Sequence, residues 1–389
     1  MQRKFSLTTA ALACALFAPL SPLGAGAAHA APASVEKGEK GVRVEEIKAD
    51  VAEKLQVSMR DLVARRALYN ALAADGEADL TTVLANKHSA YGDLFTRQVA
   101  AADTEVKKVK GLDGMVASSL RVRVADEKSA GQLTKGVQPL FAPSPTEDNS
   151  ASLVARDIQG DSVRVDLDTP TDVPLLLVEL DIDNIMPIAV GAVSAELKRQ
   201  GVESEFLTGR EEQEPAHAVA PGASAAAATK IVTRLNTVKL NKDHEPWWKG
   251  RAEIYAVAMG QGKDNKARAD VVSMPYLDYD DTTYYPGQGI IDWSHFKWNN
   301  VDFLVMEQDD NTNYNDLAKV IAGAIATLAG GPQYVPLINE VLNALPSSWT
   351  TDDDDYVDSF YMLSRQSNGL KIGASNNARM TVQPVVVTT

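Results

Sequence analysis

Three acidic runs, each set against an apolar, aromatic-rich stretch, constrain what the last third of this chain can fold into. They are Leu277 to Asp281 (LDYDD), Met306 to Asp316 (MEQDDNTNYND) and Asp352 to Asp358 (DDDDYVD). Carboxylates this dense repel one another, by roughly 1 kcal/mol for a pair at ~4 Å in water and by more near a protein surface. They therefore belong in loops, with the apolar runs between them as β-strands. A hard divalent cation reverses the sign of that repulsion, since Ca²⁺ takes about six to eight oxygen ligands. The residue types point to calcium, and the candidate ligands are Asp278, Asp280 and Asp281, then Glu307, Asp309, Asp310, Asn311, Asn313 and Asp316, then Asp353, Asp355 and Asp358.

The middle run carries the most specific spacing. Asp309, Asn311 and Asn313 alternate as in the start of a helix–loop–helix calcium loop, but Tyr314 and Val320 stand where that loop needs Gly and Glu. What remains is a D-x-N-x-N loop with Asp316 behind it. In the third run, consecutive aspartates on an extended chain point to opposite sides, so at most two or three could serve one ion.

The chain begins with Arg3 and Lys4, an apolar stretch from Ala10 to Leu20, and Ala28-His29-Ala30, a small-x-small cleavage pattern. We expect a signal peptide over 1–30, cleaved near Ala30, and a periplasmic or secreted protein. The apolar stretch is shorter than a bilayer span and is broken by Pro19 and Pro22, which argues against a retained anchor. Cys14, the only cysteine, lies inside this segment, so the mature chain has no disulfide. Losing Arg3 and Lys4 takes the formal charge from -14 to -16. Such a chain repels nucleic acid, and it meets an anionic membrane only through a calcium bridge. The longest later apolar stretch, Leu317 to Leu328, carries Lys319 and reads as a buried helix, leaving no transmembrane segment in the mature chain.

Periodicity divides the rest. Residues 31–117 read as a helical N-terminal region: Val51, Leu55, Met59 and Leu62 recur at helix spacing, Asp79 is placed to cap a second helix through Leu84, and Leu94 and Phe95 mark a third. A pro-segment is an alternative identity for this region. Residues 118–210 read as a small β-rich module, with a strand at Leu120–Val124, a hairpin over Ser152–Val165 and a more buried strand from Val173 to Leu180. Residues 211–229 are Ala- and Pro-rich and read as a linker. Residues 230–389 hold all five Trp and nine of eleven Tyr, with strands expected at 253–259, 271–274, 290–298, 301–306, 358–363 and 380–387. Two helices interrupt them, 316–329, with Asp316 as its cap, and 335–345. The fold class is therefore α+β, with a C-terminal antiparallel sandwich-like domain holding two inserted helices.

Enzyme signatures are missing. There is no G-x-S-x-G, no H-E-x-x-H, and no third glycine after Gly260-Gln261-Gly262. After the leader, the histidines are His88, His217, His244 and His295, scattered along the chain, and the Ser294-His295 adjacency places neighbours on opposite strand faces. Paired carboxylates alone suffice for glycoside hydrolysis, so a secreted hydrolase acting on a glycan is one reading. The Trp residues are candidate sugar platforms, Trp247-Trp248 foremost. The leading reading is calcium-dependent binding to an extracellular or envelope ligand, a glycan or a protein; calcium in a purely structural role is the other alternative. Asp270, outside the clusters, serves as the comparison position for Asp309→Asn.

Two resemblances add to this. The segment from Phe303 through Asp316 resembles the third calcium loop of C-two domains, which implies Asp309, Asp310 and Asp316 as ligands and Asp278, Asp280 and Asp281 as first-loop partners. The helical insertion from Asp316 to Leu345 departs from that family. Over a longer span, DHEPWWKGRAEIYAVAM (243–259), MPYLDYD (274–280), DDNTNY (309–314) and LPSSW (345–349) resemble an uncharacterised family of exported bacterial proteins, domain of unknown function 3103. That likeness implies export and transfers no activity.

Overall fold

In the computed structural model, residues 37–85, 89–115, 117–145, 150–169, 171–207, 229–242, 254–308, 312–326, 336–345 and 356–388 are described. The expected signal peptide, the linker at 211–228, Trp247, Trp248 and Trp349, and the candidate ligands Asp309, Asp310, Asn311, Asp353 and Asp355 lie outside them.

The helical region holds α1 (Lys37–Ser58), α2 (Leu62–Asp75) and, after the short strand β1 (Glu77–Asp79), α3 (Ala90–Lys110). Each later start is set by a side-chain cap. Asp61 accepts from Val63 N and Ala64 N, and Ser89 accepts from Gly92 N. The expectation of a helix capped by Asp79 is corrected: Asp79 closes a local turn onto Thr81, and residues 80–85 run as turns.

The middle region supplies β2 (Leu120–Val124), α4 (Glu127–Thr134), β3 (Leu140–Pro143), β4 (Ser152–Arg156), β5 (Ser162–Asp166) and β6 (Leu175–Leu180), then α5 (Ile182–Arg199) and β7 (Phe206–Leu207). The eighteen-residue α5 is a helix that the β-rich reading of this module did not place. Asp181 caps it, accepting from Asn184 N, and Pro187 lies within it. A proline there, amid a dense apolar run, hides the helical period in the sequence. The remaining elements are β8 (Thr229–Leu240), β9 (Ile254–Gln261), β10 (Ala267–Ser273), β11 (Gln288–Asp292), β12 (Asn300–Glu307), α6 (Tyr314–Ala326), α7 (Ile338–Ala344), β13 (Tyr356–Ser364), β14 (Gly369–Ile372) and β15 (Ala378–Thr388). The cap of α6 is Asn313, whose Oδ1 accepts from Asp316 N, and not Asp316, which sits in the first turn.

Three sheets result, ordered β1-β2-β6-β3-β4-β5, β13-β12-β9-β10-β7 and β11-β8-β15-β14. Among the described strands, β3–β6 and β7–β10 pair in parallel and the other pairs are antiparallel. The second sheet is buried on both faces, which is why β9 and β10 read as near-continuous apolar runs. Tyr255, Val257 and Met259 of β9 face a core shared with α1, α3, α5, α6 and the first sheet. Ile254, Ala256 and Ala258 face the third sheet and close the expected sandwich. Because the first core draws on residues from 44 to 345, the helical region does not bury its apolar face alone. Among the described residues, no helix is long and apolar enough to cross a membrane.

Candidate functional site

The loop joining β10 to β11 combines acidic and aromatic side chains on a fixed frame. It leaves β10 through Met274, whose N–H donates to Ile254 O, and turns at Leu277, whose N–H donates to Met274 O. Tyr276 and Gln288 clamp its base: Tyr276 Oη donates to Gln288 Oε1, and Gln288 Nε2 donates to Ser273 O at 2.8 Å. Burial pushes the Tyr276 phenol up, so it stays a donor. Further out, Tyr284 exchanges both backbone hydrogen bonds with Val238 of β8, and its hydroxyl accepts from Tyr279 N at 2.9 Å. Asp281 has φ of 50°, and its N–H donates to Leu240 O at the end of β8. Gly287 has φ of 63° and lies against the Arg234 guanidinium, where a side chain would be strained and crowded.

This frame leaves two rings in solvent. Tyr285 is 77 % exposed and Tyr279 is 55 % exposed, while Tyr276 and Tyr284 pack beneath, ring centroids 6.3 Å apart. Asp280 and Asp281 are exposed beside them, and Asp278 is half-buried. Lys239 Nζ lies 2.8 Å from Asp281 Oδ1 and holds that carboxyl below the usual aspartate range.

The other expected ligands are distributed as follows. Asp358 is fully buried and accepts four backbone N–H bonds, from Ser359, Ser375, Asn377 and Ala378. Ala378 pairs with Leu240, so the first and third acidic runs both reach the end of β8. The described part of the middle run lies elsewhere, against α3. Asn313 Nδ2 donates to Val109 O at 2.6 Å and Asn315 Nδ2 donates to Gly111 O at 3.2 Å. Asp316 lies 3.2 Å from Lys319 Nζ. Glu307 ends β12, buried, opposite Ile254. Gln308 follows it, buried, and among the described residues neither its amide oxygen nor its nitrogen has a hydrogen-bond partner.

Two other expectations meet the structure here. Trp293 is buried and donates to Thr233 Oγ1, and Trp298 donates to Gln261 Oε1, so both serve the fold, and among the described residues the largely exposed rings are tyrosines. Asp270, the comparison position, is wholly buried in an ion network with His295 and Arg268 and is unsuited to that use. The sequence signal for it was a pair of charges, Arg268 and Asp270, alternating within an apolar strand.

No curated protein and no solved structure matches the chain. A family model described as "Protein of unknown function (DUF3103)" matches residues 48–389, well over half of the sequence. The likeness read from four separated segments thus extends through the helical region, all three sheets and the tyrosine loop, and the protein belongs to the DUF3103 family.

Proposed function

We propose that this protein is an exported, calcium-dependent binding protein that takes a neutral glycan of an envelope or extracellular partner on the loop from Tyr276 to Gln288. The observation that carries the reading is the exposure of Tyr279 and Tyr285 on a backbone tied to β8, β9 and β10. A loop fixed in this way presents its rings with little ordering cost on binding. Aromatic faces pack on the apolar C–H faces of sugars, and carboxylates accept their hydroxyl hydrogens, so Tyr279, Tyr285, Asp280 and Asp281 supply both halves of such a contact. The net charge of -14 disfavours anionic polymers. Calcium fits as the cation because the loop's carboxylates, Asp278, Asp280 and Asp281, are hard oxygen donors. Gln308, directly before Asp309 in the sequence, adds a buried amide oxygen with no partner among the described residues.

The test is a panel of immobilised neutral glycans probed in calcium and in chelator. Calcium-dependent capture that is lost in Tyr285→Ala, with the unfolding temperature unchanged, supports the reading. Capture that ignores both calcium and Tyr285, or no capture at all, removes it.

A further inference from the structure

β10 places alternate residues on opposite faces of the second sheet. Ala269 and Val271 face the helices, while Arg268 and Asp270 meet groups from the β11 side and from the chain just before β7. Asp270 is 0 % exposed and its carboxylate is filled by three donors. Oδ1 accepts from Arg268 Nε and from Glu205 N, both at 2.9 Å, and Oδ2 lies 2.7 Å from His295 Nδ1. With those oxygens accepting, His295 Nδ1 carries a hydrogen, and Nε2 is the ring nitrogen turned away from Asp270.

Nε2 faces two further carboxylates. Glu205 Oε2 is 3.2 Å away and Asp292 Oδ2 is 3.6 Å away. Each of these residues has its second oxygen held elsewhere. Glu205 Oε1 lies 3.3 Å from Arg268 Nη2, and Asp292 Oδ1 accepts from Ser294 N at 2.8 Å and Ser294 Oγ at 2.6 Å. One ring nitrogen and two carboxylate oxygens therefore lie close together, with the Arg268 guanidinium and the Lys230 ammonium as the cations already beside them. The spacing fits a metal. Donors bonded at about 2.0–2.2 Å to a tetrahedral ion lie roughly 3.4 Å apart, between the two observed separations. An imidazole whose other N–H is fixed by a buried carboxylate is also the usual arrangement behind a metal-bound histidine.

We propose that His295 Nε2, Glu205 Oε2 and Asp292 Oδ2 form a three-ligand site for a divalent transition ion of the zinc class, with Asp270 as the positioning residue. An imidazole ligand favours such an ion over calcium, which prefers oxygen alone. The site opens to water: the His295 side chain is 14 % exposed and that of Glu205 is 52 % exposed. Among the described residues, no group of three such side chains already stands at metal-binding geometry. Lys230 Nζ lies 3.0 Å from Asp292 Oδ2, and the ion has to displace that ammonium. Lys230 is partly exposed and can swing into solvent.

Isothermal titration of the chelator-stripped protein with zinc chloride tests this independently of the glycan reading, in millimolar calcium to occupy oxygen-only sites. One equivalent is expected to bind. Affinity should fall at least tenfold in Glu205→Gln, a half-exposed position where the fold tolerates change, and at least tenfold in His295→Gln. Lys230→Met should bind more tightly than the unaltered protein, because the competing ammonium is gone. Zinc binding that is equal in Glu205→Gln, His295→Gln and the unaltered protein overturns the assignment, as does the absence of binding. A histidine that titrates by NMR without zinc affinity also overturns it, since the cation at Nε2 would then be a proton only.

Discussion

Replacing Asp358 with alanine removes a carboxylate that organises the turn between β14 and β15. Oδ1 accepts from Ser359 N at 2.7 Å and Ser375 N at 2.9 Å, and Oδ2 accepts from Asn377 N at 2.8 Å and Ala378 N at 2.7 Å. Ser375 and Asn377 lie in the partly exposed turn, so water can replace the carboxylate at those two donors. Ser359 and Ala378 are each 1 % exposed, and their N–H groups would be stranded. A hydrogen bond to a charged group is worth about 1.5–3 kcal/mol net, so the two stranded donors set a loss of about 3–6 kcal/mol. Asparagine is no remedy, because its NH₂ would face two donors wherever it points. Gly373→Ala should show a related loss, since a Cβ there would collide with the Asp358 carboxylate. The assay is urea unfolding of Asp358→Ala in chelator and again in calcium. Equal losses in both are expected, because the donors are the protein's own. A loss below about 1 kcal/mol in chelator that appears only with calcium would refute the reasoning and return Asp358 to the cation ligands.

Three further outcomes follow from buried polar groups. Asp302→Ala should cost about 2–4 kcal/mol, read by urea unfolding, because Asp302 accepts from Leu337 N at 2.6 Å and Ile338 N at 3.2 Å at the start of α7 and from Met362 N at 3.0 Å. For Glu179, burial pushes the carboxyl up, but Arg123 and Arg121 outweigh it and hold the group below its ordinary value of 4.5. Its contribution is therefore complete above that unfolded value and is lost as pH falls through the lower folded one. Glu179→Gln should cost about 3 kcal/mol at neutral pH, and the gap to the unaltered protein in unfolding free energy should shrink in acid. Tyr69→Phe should leave thermal stability unchanged or raise it by up to ~1 kcal/mol, because the buried Tyr69 hydroxyl has no hydrogen-bond partner among the described residues and burial raises its phenol to about 12.

Local rules made part of this fold legible. The alternation at Leu120–Val124, the hairpin turn at Asp157 to Asp161 and the apolar runs of β9, β10 and β12 each announce themselves, because one face or both faces of the strand are buried. Long-range packing hid the rest. β8 alternates as TKIVTRLNTVKL, yet it opens at the edge of a polar, Ala-rich stretch and its residues pair with positions of β15 that lie 138 to 159 residues further along the chain. α5 concealed itself behind Pro187. Asp358 read as one more member of an acidic run, and only the fold shows that four backbone donors converge on it.

The histidine site marks a deeper limit. Glu205, Asp270 and the Asp292–His295 turn come from three places in the chain, and no spacing rule connects them. What joins them is strand pairing: Val271 N donates to Glu205 O, which sets the Glu205 segment against β10, and Asp292 ends the strand whose following turn carries His295. The legible trace was a pair of charges at i and i+2 in an otherwise apolar strand, Arg268 and Asp270. A strand buried on both faces does not carry charges unless partners wait for them on the same face. Such a pair therefore predicts an ion network between two sheets before either sheet is known. The acidic loops gave the opposite lesson: charge density draws the eye, yet Asp358, the member that is wholly buried, spends both oxygens on the backbone.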